Sequence, residues 1–143
     1  STISENINAK FAEIDNKTLD PVLGNEIQIG VQELFRKNAG KVRLINGEAD
    51  ADFNLTLLSY TNKPENYNSA DEVETYRVTI RVAVKFYDNV KERMIYEAKS
   101  LSADGVYDVL KNETEERHGQ ERAIEKMQDL IISLDTIKIQ IIW

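Results

Sequence analysis

The stretch VETYRVTIRVAVKFYD, Val73 to Asp88, decides how the rest of the chain is read. Tyr76, Val78, Ile80, Val82, Val84 and Phe86 occupy one parity; Thr75, Arg77, Thr79, Arg81 and Lys85 occupy the other. Successive side chains on a strand point to opposite faces, so this alternation predicts a strand with one buried face and one wet face. The buried face needs a cover. The wet face carries three cations in a row, within a chain whose formal net charge is -7.

The flanking segments supply the cover. Ile7, Ala9 and Phe11 alternate in NINAKFAEI and predict a first strand. In DNKTLDP, Asp20 suits a helix N-cap, and Pro21 suits the first helical position, where a missing N–H costs nothing. Leu23, Ile27, Val31, Leu34 and Phe35 then recur at helical spacing, predicting an amphipathic helix over 21–38 that Gly40 is suited to end. KVRLI reads as a short strand and Asn46-Gly47 as a turn. In DFNLTLLSYTNKP, Phe53, Leu55 and Leu57 share one parity while Leu58 and Tyr60 share the other. That predicts a strand either covered on both sides or carrying a bulge.

Pro64 and the polar run KPENYNSADE are expected to form a loop before the strand at 73–88. A short turn near Asp88-Asn89 leads to a second strand, KERMIYEAKSLS, with Met94, Tyr96 and Ala98 inward and Arg93, Glu97 and Lys99 outward; the two strands make a long hairpin. ADGVYDVLKNET reads as a second loop, in which Asn112 and Glu115 have capping-box spacing and Thr114 is a rival cap. Ala123, Ile124, Met127, Leu130, Ile131 and Leu134 define a final helix, with Glu113, Glu115 and Glu116 at its electropositive start. The tail 135–143, with Ile137, Ile139 and Ile141, reads either as a strand or as the frayed end of that helix.

A length of 143 residues suits one domain, 1–143, able to bury roughly two-thirds of its unfolded surface. The expected architecture is an α+β two-layer sandwich: two helices packed on one face of a mostly antiparallel or mixed sheet of four to five strands.

The chemistry in the sequence is sparse. With no cysteine there is no disulfide, thiol nucleophile or thiolate metal site. No apolar run approaches the ~20 residues of a membrane span. The acidic balance argues against general nucleic-acid binding. The single histidine, His118, sits among Glu and Arg at the start of an exposed helix and reads as a surface residue. Nucleophile-elbow, phosphate-loop, HExxH and EF-hand patterns are absent, so neither an enzyme nor a cofactor is expected. Glu48, Asp50 and Asp52 in GEADAD lack the ligand set and central glycine of a calcium loop and read as a turn entering a strand, so no metal site is expected. The Asn-x-Thr tripeptides at Asn16, Asn54 and Asn112 are of a kind that arises by chance, and Asn54 falls inside a predicted strand.

The cations remain. Arg77, Arg81 and Lys85 follow one another on the outward parity, and Arg93 and Lys99 are expected on the same face of the neighbouring strand. The plain reading is a solvated face on which Lys and Arg discourage edge aggregation. The functional reading is a surface that meets an anionic ligand or an acidic partner wall, where charge steers and orients.

Several stretches carry a resemblance. DNKTLDPVLGNEIQIGVQELF, EADADFNLTLLSYTNKPENY with Tyr60, Pro64 and Tyr67, VETYRVTIRVAVKFYD with its triplet Tyr76-Arg77-Val78, and ERAIEKMQDLIISL occur in an order that resembles the LptE family. The resemblance implies a non-enzymatic lipoprotein that plugs the lumen of an LptD-type outer-membrane β-barrel. Such a protein helps the barrel fold and assists delivery of lipopolysaccharide to the outer leaflet. It also implies a periplasmic position at the bacterial outer membrane through an N-terminal lipidated cysteine. No cysteine is present here, so the chain is expected to be the soluble part that follows the anchor.

The partners implied are the barrel and the phosphates of lipid A, which Arg and Lys bind through charge-assisted hydrogen bonds. Lys111 lies in a region the resemblance implicates, and it joins Arg77, Arg81, Lys85 and Lys99 as candidate contacts. The loop around Ser69 resembles another contact region but is acidic, with Glu65, Asp71, Glu72 and Glu74. The alternative is a periplasmic or secreted α+β binding module for an unrelated peptide or small ligand, which a deep apolar pocket would mark.

Overall fold

The structure is a computed structural model that describes residues 7–38, 42–111 and 115–142, the side chains of 38 and 134–142 excepted. Its elements are β1 (Ile7–Phe11), β2 (Asp15–Asn16), α1 (Pro21–Asn38), β3 (Val42–Ile45), β4 (Ala51–Tyr67), β5 (Val73–Asp88), β6 (Arg93–Asp108) and α2 (Glu116–Ile142). The sheet runs β3-β1-β4-β5-β6, and the two-residue β2 pairs with β4 as a sixth strand. β1 lies parallel to β3 and β4, whereas β4, β5 and β6 form an antiparallel meander. This is the expected α+β sandwich, with the short β2 added to the strands read from the sequence.

The parity read for Val73–Asp88 holds from Val78 to Asp88, while Val73–Arg77 are all half-buried. Val78, Ile80, Val82, Val84 and Phe86 are fully buried and join Leu23, Ile27, Val31 and Phe35 of α1 and Ala123, Met127 and Ile131 of α2 in one core. Phe53 of β4 ties the layers together. Its ring lies 5.0 Å from Phe11 of β1, 5.0 Å from Phe35 of α1 and 5.6 Å from Phe86 of β5, the last two edge-on. Edge-to-face rings add attraction beyond the area they bury.

Helix α1 starts where the sequence places it. Asp20 Oδ1 accepts from the Leu23 N–H at 3.0 Å, the N-cap bond that Pro21 leaves room for. Asn16 braces the same turn. Its Oδ1 accepts from the Thr18 N–H at 2.8 Å, and its Nδ2 donates to the Asp20 carbonyl at 2.8 Å. The Asn16-x-Thr18 tripeptide is thus a turn latch. At the β5–β6 turn, buried Asp88 accepts from the Val90 and Lys91 N–H groups at 2.9 and 3.0 Å. The residues proposed as caps, Gly40, Asn112 and Thr114, lie outside the described residues, as do the side chains of Leu134, Ile137, Ile139 and Ile141. The backbone of the tail is helical through Ile142.

Three local expectations are corrected. The first concerns Lys63–Tyr67, expected in a loop; these residues continue β4, and only the short connection to Val73 is left outside the strands. Polar composition misleads there because the segment is paired with β5 while its own surroundings are wet. Second, Ala103–Asp108, also expected in a loop, continue β6, with Ala103, Gly105 and Tyr107 buried beneath α2. Third, the alternation in β6 slips. Register shifts lie where Phe86 opposes Tyr96 but Tyr87 opposes Met94, and where Val84 opposes Ala98 but Val82 opposes Leu101. As a result Ile95 is buried and Met94 is exposed. One inserted residue changes the face of everything beyond it. The bulge anticipated in β4 is present, between Leu57 and Ser59.

Helix α2 approaches β6 closely because two glycines meet. A Cβ on Gly105 would lie 2.0 Å from the Gly119 carbonyl oxygen and 2.9 Å from the Ala123 nitrogen, both backbone atoms. Replacing Gly105 with Ala should therefore lower the unfolding free energy by about 1–3 kcal/mol, the usual cost of overpacking. Gly47→Ala, where a Cβ meets nothing within 4 Å, should change it by no more than about 0.5 kcal/mol. Urea unfolding of the two variants side by side checks this, and equal stabilities would contradict the close seating of α2.

Candidate functional site

The uncovered face of the sheet is built from the odd-numbered residues of β5 and their neighbours. Antiparallel partners share a face, so Arg77 stands between Lys63 and Val106, Arg81 between Ser59 and Ser102, and Lys85 between Asn54 and Glu97. The expected row of Arg77, Arg81 and Lys85 is present, but its members differ in what they touch. Arg77 is held on both sides: Nε donates to Glu65 Oε1 at 2.8 Å and Nη1 to Asp104 Oδ2 at 2.8 Å. The other oxygen of Asp104 accepts from Thr79 Oγ1 at 2.8 Å. The hydrogen bond to Glu65, more than the one to Asp104, raises the guanidinium pKa. Lys85 Nζ is 3.9 Å from Glu97, a loose exposed pair.

Arg81 has a different partner, donating to the neutral Ser100 hydroxyl at 3.3 Å. Lys99 is exposed in the β6 bulge beside that serine. Lys111 is exposed in the turn that follows β6, past the Asp108–Thr75 pair and so at the far end of the hairpin from Lys85. Arg81, Lys99 and Lys111 make no ion pair with a described residue. Arg93 is corrected: it opposes Asp88, which continues the buried parity of β5, because the register shift at Phe86/Tyr87 turns it off the cationic face.

A second polar cluster, on the helix side, has no signature in the sequence. Tyr60 donates a short hydrogen bond to Glu116 of α2. Asn62 Nδ2 donates to the other Glu116 oxygen at 2.6 Å, and Asn62 Oδ1 accepts from the Tyr107 hydroxyl at 3.1 Å. Gln120 donates to Tyr60 Oη at 3.1 Å, and Tyr107 stacks on Tyr76 with ring centroids 5.3 Å apart. Burial, reinforced by the Glu116 carboxylate, raises the Tyr60 pKa; burial also raises that of Tyr107. Nothing local links Tyr60 to a helix 56 residues away. By its own neighbours Tyr60 is merely off-parity, and Glu116 reads as a helix-dipole residue.

Where β2 ends, an open groove of about 630 Å³ runs between Lys17–Pro21 and Leu58–Tyr60. Leu19 on its rim is fully exposed and Leu58 partly so. The groove is too open to be the deep apolar pocket of a small-molecule module.

A family model described as "LptE: Lipopolysaccharide-assembly" matches residues 9–134. No curated protein sequence matches the chain. Among solved structures, protein XCC0632 from Xanthomonas campestris is similar, with a TM-score of 0.71 at 10% identity over 94% of this chain and 86% of that one. The hypothetical protein CT253 from Chlamydia trachomatis has a TM-score of 0.65 at 10% identity, covering 94% and 97%. The rare lipoprotein B from Shewanella oneidensis has a TM-score of 0.55 at 13% identity, covering 93% and 91%. At these identities the structures establish a shared fold.

Two outcomes follow from the geometry. Reversing Arg77 to Glu sets it against Glu65 and Asp104 and should cost about 1 kcal/mol, whereas Arg81→Glu should be neutral within about 0.5 kcal/mol; thermal unfolding separates the two, and equal losses would contradict the pairing. Tyr60 and Tyr107 hold their protons more tightly in the fold than in the unfolded chain, where tyrosine titrates near pH 10. Their contribution is fully present below about pH 10 and is lost as the pH rises above it. Ultraviolet titration should show Tyr60 and Tyr107 ionising late, and Tyr60→Phe should remove one late-ionising group.

Proposed function

Because this chain belongs to the LptE family of lipopolysaccharide-assembly proteins, we propose that it is a non-enzymatic assembly factor that seats in the lumen of an LptD-type outer-membrane barrel. The observation that carries this reading is the charge arrangement of the uncovered sheet face. Covering a charge with another protein surface is costly unless the charge brings its partner along. Arg77 brings Glu65 and Asp104, and Lys85 brings Glu97, while Thr56, Ser59, Thr61, Thr79 and Ser102 offer hydroxyls between them. Such a face suits the polar wall of a barrel lumen, and it needs no apolar patch to hold it there.

The remaining cations suit the second partner. Arg81, Lys99 and Lys111 have no carboxylate among the described residues, so a lipid A phosphate would be their first strong acceptor. In this division Arg77 and Lys85 serve the wall, and Arg81, Lys99 and Lys111 serve the lipid. A lipid anchor preceding the domain would hold it on the periplasmic side of the outer membrane.

Co-expression with the cognate barrel should give a complex that survives purification in mild detergent. Arg81→Glu combined with Lys99→Glu and Lys111→Glu should leave that complex intact and reduce lipopolysaccharide binding by about tenfold, as expected for losing charge-assisted contacts worth about 1.4 kcal/mol or more. Failure to form the complex removes the barrel reading. Unchanged lipopolysaccharide binding removes the phosphate assignment alone.

A further inference from the structure

The outer edge of β4 is covered along only part of its length. β1 pairs with Ala51–Phe53 and β2 with Thr56–Leu57; beyond Leu57 no described strand pairs with β4 on that side. The Lys17 N–H donates to the Leu57 carbonyl at 2.9 Å, so Leu57 directs its backbone groups outward, away from β5. Leu57 opposes Val82, and Tyr60 opposes Ile80, two residues along β5. Positions two apart on a strand share a direction, so Tyr60, and after it Asn62, also direct N–H and C=O outward. Pro64 is next in this phase and has no N–H to offer, which closes the ladder.

The rest of the edge is prepared for a partner in two ways. Side chains of both outward-facing residues are fixed from the helix side, since Glu116 binds Tyr60 and Asn62 together. And the groove at the end of β2 opens onto this same stretch, lined by Leu19, Leu58 and Tyr60, with Leu19 fully exposed. The chain itself leaves the edge here, turning at Thr18 into α1 when the next residues of β2 would have continued the ladder.

We propose that β4 from Leu58 to Asn62 is a β-augmentation site: an extended peptide segment continues the ladder where β2 leaves it and places one apolar side chain in the groove between Leu19 and Leu58. Backbone hydrogen bonds to Tyr60 and Asn62 hold the guest, and the leucines select for an apolar residue. Pro64 limits the guest to a short stretch. The site lies on the edge of the sheet, not on its open face, so it does not rest on the barrel or lipopolysaccharide reading.

Amide hydrogen exchange tests it on the whole domain. In the free protein the Tyr60 and Asn62 amides should exchange fast while Thr61 and Lys63, bonded to β5, exchange slowly. An acetylated, amidated peptide Lys-Thr-Val-Thr-Ile-Thr-Lys serves as probe. It should slow exchange at Tyr60 and Asn62, and Leu58→Asp or Leu19→Asp should weaken its binding about tenfold, the effect of one buried aliphatic contact. Leu19 is fully exposed, so its variant folds even if the Leu58 variant does not. The same peptide N-methylated at its two central residues should not protect these amides. Slow exchange at Tyr60 and Asn62 in the dilute free protein would overturn the proposal, because the edge would already be closed. So would protection that grows with protein concentration alone, since the occupant would then be a second copy. No protection at saturating peptide, or equal protection by the methylated one, would overturn it as well.

Discussion

Val78, Ile80, Val82, Val84 and Phe86 bury one face of the central strand completely, and both helices lie on that face. With the apolar residues of the sheet on one side, the opposite side has no reason to be covered from within the chain. This one-sided burial sets the rest of the molecule. It places Phe53 at the junction of β1, α1 and β5 and draws α2 down onto β6 through Gly105 and Gly119. It also leaves a broad polar face available to something outside.

That face is less cationic than the arginines and lysines on it suggest. Arg77 sits between two carboxylates, and Lys85 has a third within reach. Local neutrality is consistent with an acidic chain carrying a row of basic residues: the acidic residues lie on the adjacent strands, Glu97 directly opposite Lys85 and Glu65 and Asp104 diagonal to Arg77. Family membership connects the chain, though no particular surface of it, with lipopolysaccharide assembly. The pairing pattern leaves Arg77 and Lys85 beside carboxylates and Arg81 beside a neutral serine.

The helix-side cluster of Tyr60, Asn62, Tyr107, Glu116 and Gln120 has a different character. It fastens the start of α2 to the far halves of β4 and β6, where the apolar core gives way to half-buried residues. A carboxylate shared between a phenol and an amide there is a directional tie, and it sets the position of the β4 backbone next to an uncovered edge.

The two-layer architecture, the bounds of α1 at 21 and 38, the limits of β5 at 73 and 88 and the Asp20 cap were all legible in the sequence, because period, parity and capping chemistry are local. The Leu57–Ser59 bulge was legible as well, since a change of parity within an apolar strand requires either an inserted residue or cover on both faces. Two strand extensions and the two slips of register in β6 were not. Lys63–Tyr67 and Ala103–Asp108 are polar or glycine-containing and become strand only because β5 lies between them as a template. Arg93 and Met94 depart from the faces that simple alternation predicts, because a bulge opposite another strand has no signature in its own residues. For the candidate site, the sequence established which residues are cationic and that three of them share a face. Which of the three are neutralised depends on Glu65, Asp104 and Glu97, whose positions follow from the register of neighbouring strands and therefore from the tertiary structure alone.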